Sequence, residues 1–324
     1  MRILMVTEHC CPRVLKEAVA LRGAGHWVGV LTNKLDLGHV FDGIWYYNDP
    51  VSLEANLRRI ECDVIHVHNE PLWPCEVCIN VAVAPVVFDI HDLDFVRWGR
   101  PPGPELTCVA ACDGVIVPSE SYRAAIGGVG EVVYSMPMED GIRWADNPLD
   151  ALVMEGHASV DKGTKGSPWL DYREVALRFA KSRNQPLFIQ TAEANHGLTY
   201  YNSRTIVMES TSYDGLCDRM PHFRWGLVSG GCRHAQCDAG MPNKLFEYLT
   251  WGVVPVVMWE KEVAEFVEKY GVGIVADSPE DAAKKMTKTT WQKCRKAIKR
   301  LQHEFTMESQ LPKIEAVYAT AVGN

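Results

Sequence analysis

Short apolar, β-branched runs alternate with helical stretches along this chain, and that alternation constrains its fold more than any other feature. Residues 3–7 read as a buried strand, residues 13–23 as a helix, and residues 27–31 as a second strand after a Gly-Ala-Gly stop. Parallel strands need a long crossover connection, which is usually a helix. The pattern therefore predicts βαβ units that form a parallel sheet.

The same pattern occurs twice, which predicts two doubly wound α/β domains. Further strands of the first series are expected at residues 64–68, 86–89 and 115–118. Those of the second series are expected at residues 151–155, 187–191, 205–209, 225–229, 253–258 and 273–275. A chain of 324 residues also exceeds the size at which a single hydrophobic core keeps growing, so two cores are expected.

The domain boundary is expected between Pro137 and Pro148, because the stretch between these prolines lacks apolar periodicity. We therefore expect an N-terminal Rossmann-like domain over residues 1–142 and a C-terminal Rossmann-like domain over residues 143–305. A last helix over residues 306–324 is expected to pack back on the N-terminal domain.

The composition is that of a soluble globular protein, with 47% hydrophobic and 23% charged residues. No apolar run reaches the roughly 18–20 residues that span a bilayer, and no basic and apolar leader opens the chain, so a cytoplasmic location is expected. The 11 cysteines are then expected to be reduced. Cys75 and Cys78 form a CxxC pair, but no second pair follows at zinc-finger spacing, which favours small core residues over a metal site.

The formal charge of −8 argues against a surface built wholly for nucleic acid. A local exception is the stretch from Lys284 to Arg300, which contains basic residues and no acidic one. A solvated helix face is the favoured interpretation of this stretch, and a local contact with nucleic acid or a membrane surface is the alternative.

The segment 240–257 carries the clearest functional signal. It places Asn243 at a helix start, Lys244 at the first helical position and Glu247 three residues further on. In open parallel sheets, ligands bind beyond the carboxyl ends of the strands, where helix N-termini attract anions. A lysine there would hold a diphosphate, and a carboxylate one turn later would accept both hydroxyls of a ribose. A capping box beside a solvated lysine fits the spacing equally well.

This segment resembles the signature of glycosyltransferase family 4, N/S-K-x-x-E-Y/A-x-x-x-G-x-P-V, which closes the donor site in that family. The resemblance implies the GT-B architecture, in which two Rossmann-like doubly wound parallel-sheet domains face a cleft. It also implies that Glu247 binds the nucleotide ribose and that Lys244 lies near the diphosphate or the donor sugar. The other donor-binding candidates in this segment are Asn243, Gly240 and Leu245.

The chain departs from the family pattern at two positions of the donor site. Residues 156–163 have the spacing of the family's G-R-L-x-x-x-K-G, in which arginine and lysine clamp the diphosphate. Lys162 fits the lysine role, but His157 stands at the arginine position, where a neutral imidazole offers one donor instead of a fork; Lys165 is a candidate to compensate. Gly240 stands where the family often has a glutamate that touches the donor sugar, so we expect that contact from neighbouring backbone or from the loop 233–238.

The N-terminal domain also resembles the family. Residues 86–93 are similar to the family strand that ends in a histidine and aspartate pair, which implies that His91 contacts the donor sugar. Glu8, Arg13 and Asp92 are the candidates on the acceptor side. For Arg13, an anion contact and an exposed position in the first helical turn remain alternatives. Asp92 and Asp94 have the spacing of a DxD metal motif, but GT-B enzymes generally bind their donor without such a metal, so no metal is expected.

We therefore predict a hexosyltransferase that moves a sugar from a nucleotide diphosphate sugar to an acceptor hydroxyl, with no cofactor besides the donor. His91, Lys162 and Lys244 are its predicted catalytic residues. The resemblance further implies retention of anomeric configuration without a metal ion. The acceptor is open among glycan, lipid and nucleic acid.

Two alternatives to this prediction remain. One is a glycosyltransferase that acts on modified nucleic acid bases, which the basic stretch alone supports. The other is an inactive nucleotide-sugar-binding subunit, which His157 and the missing first glutamate suggest.

Overall fold

The computed structural model describes residues 1–34, 38–69, 71–156, 171–191, 205–209, 211–232 and 238–323. The chain divides into two compact units. The first unit consists of Met1–Met138 together with Met307–Asn324, and the second consists of Glu139–Thr306. Each unit is built around its own parallel sheet.

The first unit contains a seven-stranded sheet in the order β3-β2-β1-β4-β5-β6-β7. Its strands are β1 Arg2–His9, β2 Trp27–Lys34, β3 Gly43–Tyr46, β4 Val64–His68, β5 Val86–Asp89, β6 Gly114–Val117 and β7 Glu131–Val132. The helices among these strands are α1 Pro12–Gly23, α2 Pro50–Leu57, α3 Trp73–Val81, α4 Asp94–Trp98, α5 Gly103–Ala111 and α6 Glu120–Ala125.

The second unit contains a six-stranded sheet in the order β10-β9-β8-β11-β12-β13. Its strands are β8 Leu149–Glu155, β9 Leu187–Gln190, β10 Thr205–Met208, β11 Phe223–Val228, β12 Val254–Val257 and β13 Ile274–Val275. Its helices are α7 Arg173–Arg183, α8 Tyr213–Arg219, α9 Asn243–Thr250, α10 Lys261–Tyr270, α11 Pro279–Lys285 and α12 Lys288–Leu301.

The central strands of both sheets are buried on both faces, which explains why they read as continuous apolar runs. Residues 3–6 of β1 have no exposed surface, and all residues of β4 and β12 are buried. All pairs between neighbouring strands are parallel, as the alternating pattern predicts.

The last helix, α13 Met307–Gly323, belongs to the first unit. Ile314 and Tyr318 are wholly buried in the core that this helix shares with β1, β4 and α1. The backbone N–H of Met307 donates to the carbonyl of Pro137 at 2.8 Å, which fixes the start of the helix. Among the residues that the structure describes, none of the helices is both long and apolar enough to span a membrane.

The basic stretch is divided between α11 and α12. Trp291, Cys294 and Ile298 form the buried stripe of α12. The guanidinium of Arg295 lies over the rings of Trp144 and Trp291, with centroid distances of 4.9 and 5.0 Å. The other basic side chains of the stretch are largely exposed, as in a solvated helix face.

Two glycines in the second unit make room for aromatic rings. A Cβ at Gly226 on β11 would overlap the ring of Tyr248, so that ring can rest on the strand only because the position is glycine. Gly252 follows α9 with a φ of +66°, and a Cβ there would lie 2.7 Å from the ring of Trp144. Both the backbone conformation and the packing at position 252 therefore require a glycine.

We predict that Gly252→Ala destabilises the protein more than Gly271→Ala. Gly271 closes α10 with a similar φ of +65°, but a methyl group added there would meet no heavy atom within 4 Å. Alanine at Gly271 should cost only the left-handed strain of roughly 1–2 kcal/mol. Alanine at Gly252 should cost about 1–3 kcal/mol more, because the methyl group also overpacks against Trp144. Urea denaturation measures both values, and equal losses of stability would contradict the packing argument.

Candidate functional site

Each sheet has a point at which the strand order reverses, between β1 and β4 in the first unit and between β8 and β11 in the second. Ligands of open α/β sheets bind at such points, beyond the carboxyl ends of the strands. The polar residues at these strand ends are therefore the first candidates for function.

In the second unit, the start of α9 lies beside the carboxyl ends of the strands. The ammonium of Lys244 lies 3.5 Å from the hydroxyl of Tyr172, which in turn donates to the carbonyl of Ser229 at 2.8 Å. Ser229 follows β11, and Tyr172 precedes α7. These contacts hold the cation of Lys244 at the reversal point of the sheet.

Two acidic residues flank this lysine. Burial would lower the pKa of Lys244, but its interactions with Tyr172, Glu260 and Glu155 outweigh burial and raise it. Burial raises the pKa of Glu260 to about 7, although the positive charge of Lys244 pulls it down. Lys244 is therefore a cation at neutral pH, whereas Glu260 is only partly ionised there.

Glu155 ends β8, and the neighbouring ring of Tyr248 fixes its backbone. The N–H of Glu155 donates to the hydroxyl of Tyr248 at 2.8 Å. Tyr248 lies on α9, one residue after Glu247, and it reaches β8 by crossing over Gly226. The helix that carries Lys244 and Glu247 is thus held in place on the two central strands of its sheet.

Glu247 is buried, with 6% of its surface exposed, one turn along α9 from Lys244. Its carboxylate is hydrogen bonded to Tyr213, the first residue of α8. Burial and the negative charge of Glu247 raise the pKa of the Tyr213 hydroxyl above its ordinary value. Because the phenol is the donor in this contact, the carboxylate of Glu247 acts as an acceptor at this position.

Two details of the predicted helix start are wrong. The helix begins one residue earlier than expected, with Pro242 in the extended cap position and Asn243 as the first helical residue, and no side chain caps it. The capping box is therefore absent. Leu245 is wholly buried, and its N–H donates to the carbonyl of Pro242 at 3.0 Å, so its side chain is a core residue and not a donor contact.

The remaining donor-side candidates are only partly described. Gly240 and Asn243 are half-buried next to the start of α9. The predicted diphosphate clamp, His157 and Lys162, lies outside the described residues, as do Lys165 and residues 233–237.

In the first unit, a buried ion pair joins α1 to the end of β5. Arg13 is 5% exposed, and its guanidinium donates to both carboxylate oxygens of Asp89 at 2.8 Å. A third donor reaches the carbonyl of Val133 at 2.9 Å. The structure thus corrects both alternatives for Arg13, since this side chain is neither an exposed first-turn residue nor an acceptor-side anion contact.

Glu17 lies one turn further along α1, 3.1 Å from the guanidinium of Arg13. Burial and the negative charge of Asp89 raise the pKa of Glu17 well above its ordinary value. Burial would also raise the pKa of Asp89, but Arg13 and hydrogen bonds to histidine hold it well below its ordinary value. The ionised carboxylate of Asp89 thus balances the guanidinium of Arg13.

Two histidines of β4 complete this cluster. His66 lies 3.5 Å and His68 lies 3.2 Å from the same oxygen of Asp89. Burial lowers the pKa of both histidines, so they are neutral at neutral pH. Ligand atoms of Glu17, His66, His68 and Asp89 lie within 4.8 Å of one another, a spacing that a metal ion could bridge. The guanidinium of Arg13 already occupies both oxygens of Asp89, however, and supplies the positive charge that a metal ion would bring.

His91 lies at the edge of this cluster and is 13% exposed. Its Nε2 is 2.9 Å from Nδ1 of His68, its Nδ1 is 3.5 Å from the sulfur of Cys11, and its backbone N–H donates to Asn69 at 2.7 Å. Burial would lower the pKa of His91, but Asp89 and Cys11 raise it to about 10. His91 is therefore an imidazolium at neutral pH, next to the N-terminus of α1.

Cys11 is the cap residue of α1 and is half-buried. Burial raises the pKa of its thiol, but the hydrogen bond and positive charge of His91 outweigh burial and lower it. Cysteines at helix N-termini beside a protonated histidine are expected to have this thiolate character.

Asp92, an acceptor-side candidate, and Asp94, the second carboxylate of the DxD spacing, each have partners. Asp92 accepts from Arg97 and from the hydroxyl of Tyr122, each at 3.0 Å. Asp94 forms an ion pair with Arg100 at 2.6 Å. The two carboxylates of the DxD spacing thus each have an arginine partner. Glu8 is half-buried at the end of β1, where burial of the Tyr47 hydroxyl and the negative charge of Glu8 raise the pKa of Tyr47.

Several residues of these clusters were not predicted from the sequence. They are Cys11, Glu17, His66, His68, Asn69 and Asp89 in the first unit, and Glu155, Tyr172, Tyr213, Tyr248 and Glu260 in the second. A usable signal existed for the histidines and Asp89, because they are polar residues inside otherwise apolar strands, and buried polar groups need partners.

Comparisons with known proteins identify the architecture. No protein-family model and no curated protein sequence matches the chain. HepE of Anabaena in complex with UDP has a TM-score of 0.73 at 12% identity, over 98% of this chain and 100% of that one. Sucrose-phosphate synthase of Thermosynechococcus elongatus has a TM-score of 0.72 at 12% identity, over 98% of each chain. AviGT4, a glycosyltransferase of avilamycin A biosynthesis, has a TM-score of 0.68 at 17% identity, over 100% of this chain and 98% of that one.

At these identities, the likeness establishes the fold. The chain has the GT-B architecture of two Rossmann-like parallel-sheet domains, which confirms the predicted fold class. The structures that share it include glycosyltransferases.

We predict that Arg13→Met strongly destabilises the protein, because it leaves the charge of Asp89 buried without its counter-ion. Breaking a buried ion pair in this way typically costs about 3–5 kcal/mol. The control is Arg123→Met, which removes an exposed arginine that pairs with Glu120 at 2.7 Å and should cost only about 0–1 kcal/mol. Chemical denaturation compares the two variants. A loss for Arg13→Met as small as that of the control would contradict the assignment of Arg13 as a structural residue.

Proposed function

We propose that this protein is a glycosyltransferase that uses a nucleotide diphosphate sugar as its donor. The observation that carries the proposal is the pair of Lys244 and Glu247, one turn apart on α9 at the reversal point of the second sheet. Lys244 is a cation close to a helix N-terminus, and Glu247 is an acceptor held by Tyr213. The GT-B architecture and the similarity of segment 240–257 to the family 4 signature both support this function.

In this proposal, the second unit binds the donor. Backbone N–H groups at the start of α9 and the ammonium of Lys244 bind the diphosphate, as expected for anions at a helix N-terminus. The carboxylate of Glu247 accepts the hydroxyls of the ribose. Lys162 and His157 remain the proposed clamp on the diphosphate. Similar structures were solved with UDP, or with UDP and glucose, so a uridine diphosphate hexose is the first donor to test.

Fixed positive charge supplies much of the proposed catalysis. When the bond between sugar and diphosphate breaks, negative charge develops on the leaving phosphate and positive charge on the sugar. Lys162 and Lys244 stabilise the leaving group, and the phosphate itself can take the proton of the acceptor hydroxyl. We therefore propose a retaining mechanism that needs neither a dedicated protein base nor a metal ion.

On the first unit, we propose that His91 contacts the transferred sugar and that Glu8 and Asp92 contact the acceptor. Both ring nitrogens of His91 already have partners, His68 and Cys11. In this proposal, a sugar hydroxyl takes the place of the Cys11 sulfur, which lies 3.5 Å from Nδ1, while His68 holds the ring in place.

An inactive nucleotide-sugar-binding subunit is the second candidate, because His157 replaces an arginine of the family pattern. A donor assay separates the two candidates. Slow hydrolysis of a nucleotide sugar, or transfer to any acceptor, supports the enzyme. Nucleotide-sugar binding with no turnover in either assay favours the binding subunit.

We predict that Glu247→Ala weakens nucleotide-sugar binding by about 10- to 100-fold, since a charge-assisted hydrogen bond contributes roughly 1.5–3 kcal/mol. Isothermal titration with uridine diphosphate glucose measures the loss, and circular dichroism checks the fold. The control is Glu265→Ala, which changes an exposed glutamate on α10 and should leave affinity unchanged. Equal affinity of the two variants would refute the donor-site assignment.

We predict that transfer survives an excess of a divalent-metal chelator. In this proposal, Lys162, Lys244 and backbone donors balance the charge of the leaving diphosphate, whereas a metal site at Asp92 and Asp94 would make activity depend on the metal. Both carboxylates have arginine partners, Arg97 and Arg100, which also compete with a metal ion. Product formation with and without the chelator decides the matter, and restoration by added Mg²⁺ or Mn²⁺ would overturn the metal-independent mechanism.

A further inference from the structure

Three cysteine thiols meet between α3 and α5 of the first unit, apart from the proposed site. The sulfur of Cys75 on α3 lies 3.8 Å from the sulfur of Cys112, the residue that ends α5. Cys75 is also hydrogen bonded to Cys108, one turn earlier on α5. The CxxC pair of the sequence is therefore divided, because Cys75 joins this thiol group and Cys78 does not share its hydrogen bonds in the described structure.

The geometry suits a cross-link between the helices. Sulfurs at 3.8 Å are already in contact, and a disulfide requires them to approach to about 2.05 Å, with Cβ atoms about 3.5–4.5 Å apart. Cys108 lies on α5 and Cys112 directly follows its last residue, and both sulfurs contact that of Cys75. Cys75 is wholly buried and Cys108 is 2% exposed, but Cys112 is half-buried at the helix end. An oxidant from solvent can therefore reach Cys112 first.

The chemistry differs among the three thiols. The hydrogen bonds to Cys108 and Cys112, together with burial, raise the pKa of Cys75 above its ordinary value. The hydrogen bond from Cys75 lowers the pKa of Cys108. Cys75 thus stays a thiol until an activated sulfur is presented to it, which is the behaviour of a resolving cysteine.

We propose that Cys112 and Cys75 form an oxidisable dithiol, with Cys112 as the site of attack on a peroxide and Cys75 as the resolving residue. The sulfur of Cys112 attacks one peroxide oxygen, the O–O bond breaks, and a sulfenic acid and one water are formed. The sulfur of Cys75 then attacks the sulfenic sulfur, and the second water leaves. Two thiols have lost two electrons and two protons, and hydrogen peroxide has become two waters.

The resulting disulfide ties α3 to α5. Neither cysteine is a residue of the proposed donor or acceptor site, so this inference stands independently of the proposed function. The loop that the disulfide closes contains β5, the strand that carries Asp89. Closing it constrains the unfolded chain, so the oxidised protein should melt at a higher temperature than the reduced protein.

The experiment treats the reduced full-length protein with increasing hydrogen peroxide, removes the oxidant and counts thiols under denaturing conditions. The wild-type chain contains 11 cysteines, of which Cys11 also has thiolate character, so the thiols are counted peptide by peptide. We expect Cys75 and Cys112 to lose one thiol each, with a joint mass decrease of two hydrogen atoms that dithiothreitol reverses. Peptide mapping should find Cys75 joined to Cys112. A chain that keeps all its thiols, or that gains oxygen atoms on Cys112 without a cross-link, overturns the proposal.

Three variants locate the dithiol. Cys112→Ser changes a half-buried residue conservatively and should abolish the cross-link, and Cys75→Ala should do the same. The matched control is Cys78→Ala, which removes a wholly buried thiol from the same helix and should leave the cross-link intact. If Cys75→Ala does not fold, Cys112→Ser decides alone. A cross-link that persists in Cys112→Ser, or that disappears only in Cys78→Ala, contradicts the assignment.

Discussion

The first unit depends on one buried charge pair, the guanidinium of Arg13 and the carboxylate of Asp89. Burying either charge alone would cost several kcal/mol, which is on the order of the whole stability of a domain. The two buried charges must therefore pair with each other. Arg13 meets this condition with a two-pronged contact to Asp89 and a third bond to the carbonyl of Val133. The start of α1, the end of β5 and the chain after β7 are thereby fixed together.

Two neutral histidines, His66 and His68, connect this ion pair to other parts of the first unit. His66 lies beside Asp89 through one nitrogen, and its Nδ1 is 2.6 Å from the hydroxyl of Tyr318 on the last helix. His68 lies beside Asp89 and contacts the ring of His91. A chain of polar contacts therefore runs from the C-terminal helix to the edge of the proposed acceptor site. The orientation of His91 depends on the same carboxylate that holds the core together.

Periodicity predicted most strands of both sheets, because buried parallel strands are continuous apolar runs and most of them are followed by a helix. It did not predict the short strands β3 and β7. It failed where a partner is distant in sequence. Arg13 stands in the first turn of a helix, which suggests exposure, but Asp89 is 76 residues away along the chain, so only the tertiary structure brings the pair together. The observed start of α9 lies one residue before the predicted one, because Pro242 has the extended backbone of a cap residue. The residue spacing around Asn243 does not indicate this. Tyr172, which contacts Lys244, and Tyr213, which contacts Glu247, come from other elements of the second unit and leave no pattern near residue 244.

Arg13 and Lys244, two of the cations that the sequence analysis considered as ligands of an anion, differ in how strongly their protein partners bind them. This difference indicates a structural role for Arg13 and a functional role for Lys244. For Arg13, an incoming phosphate would have to displace two bonds of 2.8 Å to an ionised carboxylate inside the core. The ammonium of Lys244 instead contacts the neutral hydroxyl of Tyr172 at 3.5 Å, and its side chain is half-buried. Hydrogen bonds between ionised groups are roughly twice as strong as neutral ones, and they are shorter. A phosphate can therefore replace Tyr172 at Lys244 more easily than it can replace Asp89 at Arg13, whose hydrogen bonds hold the first core together.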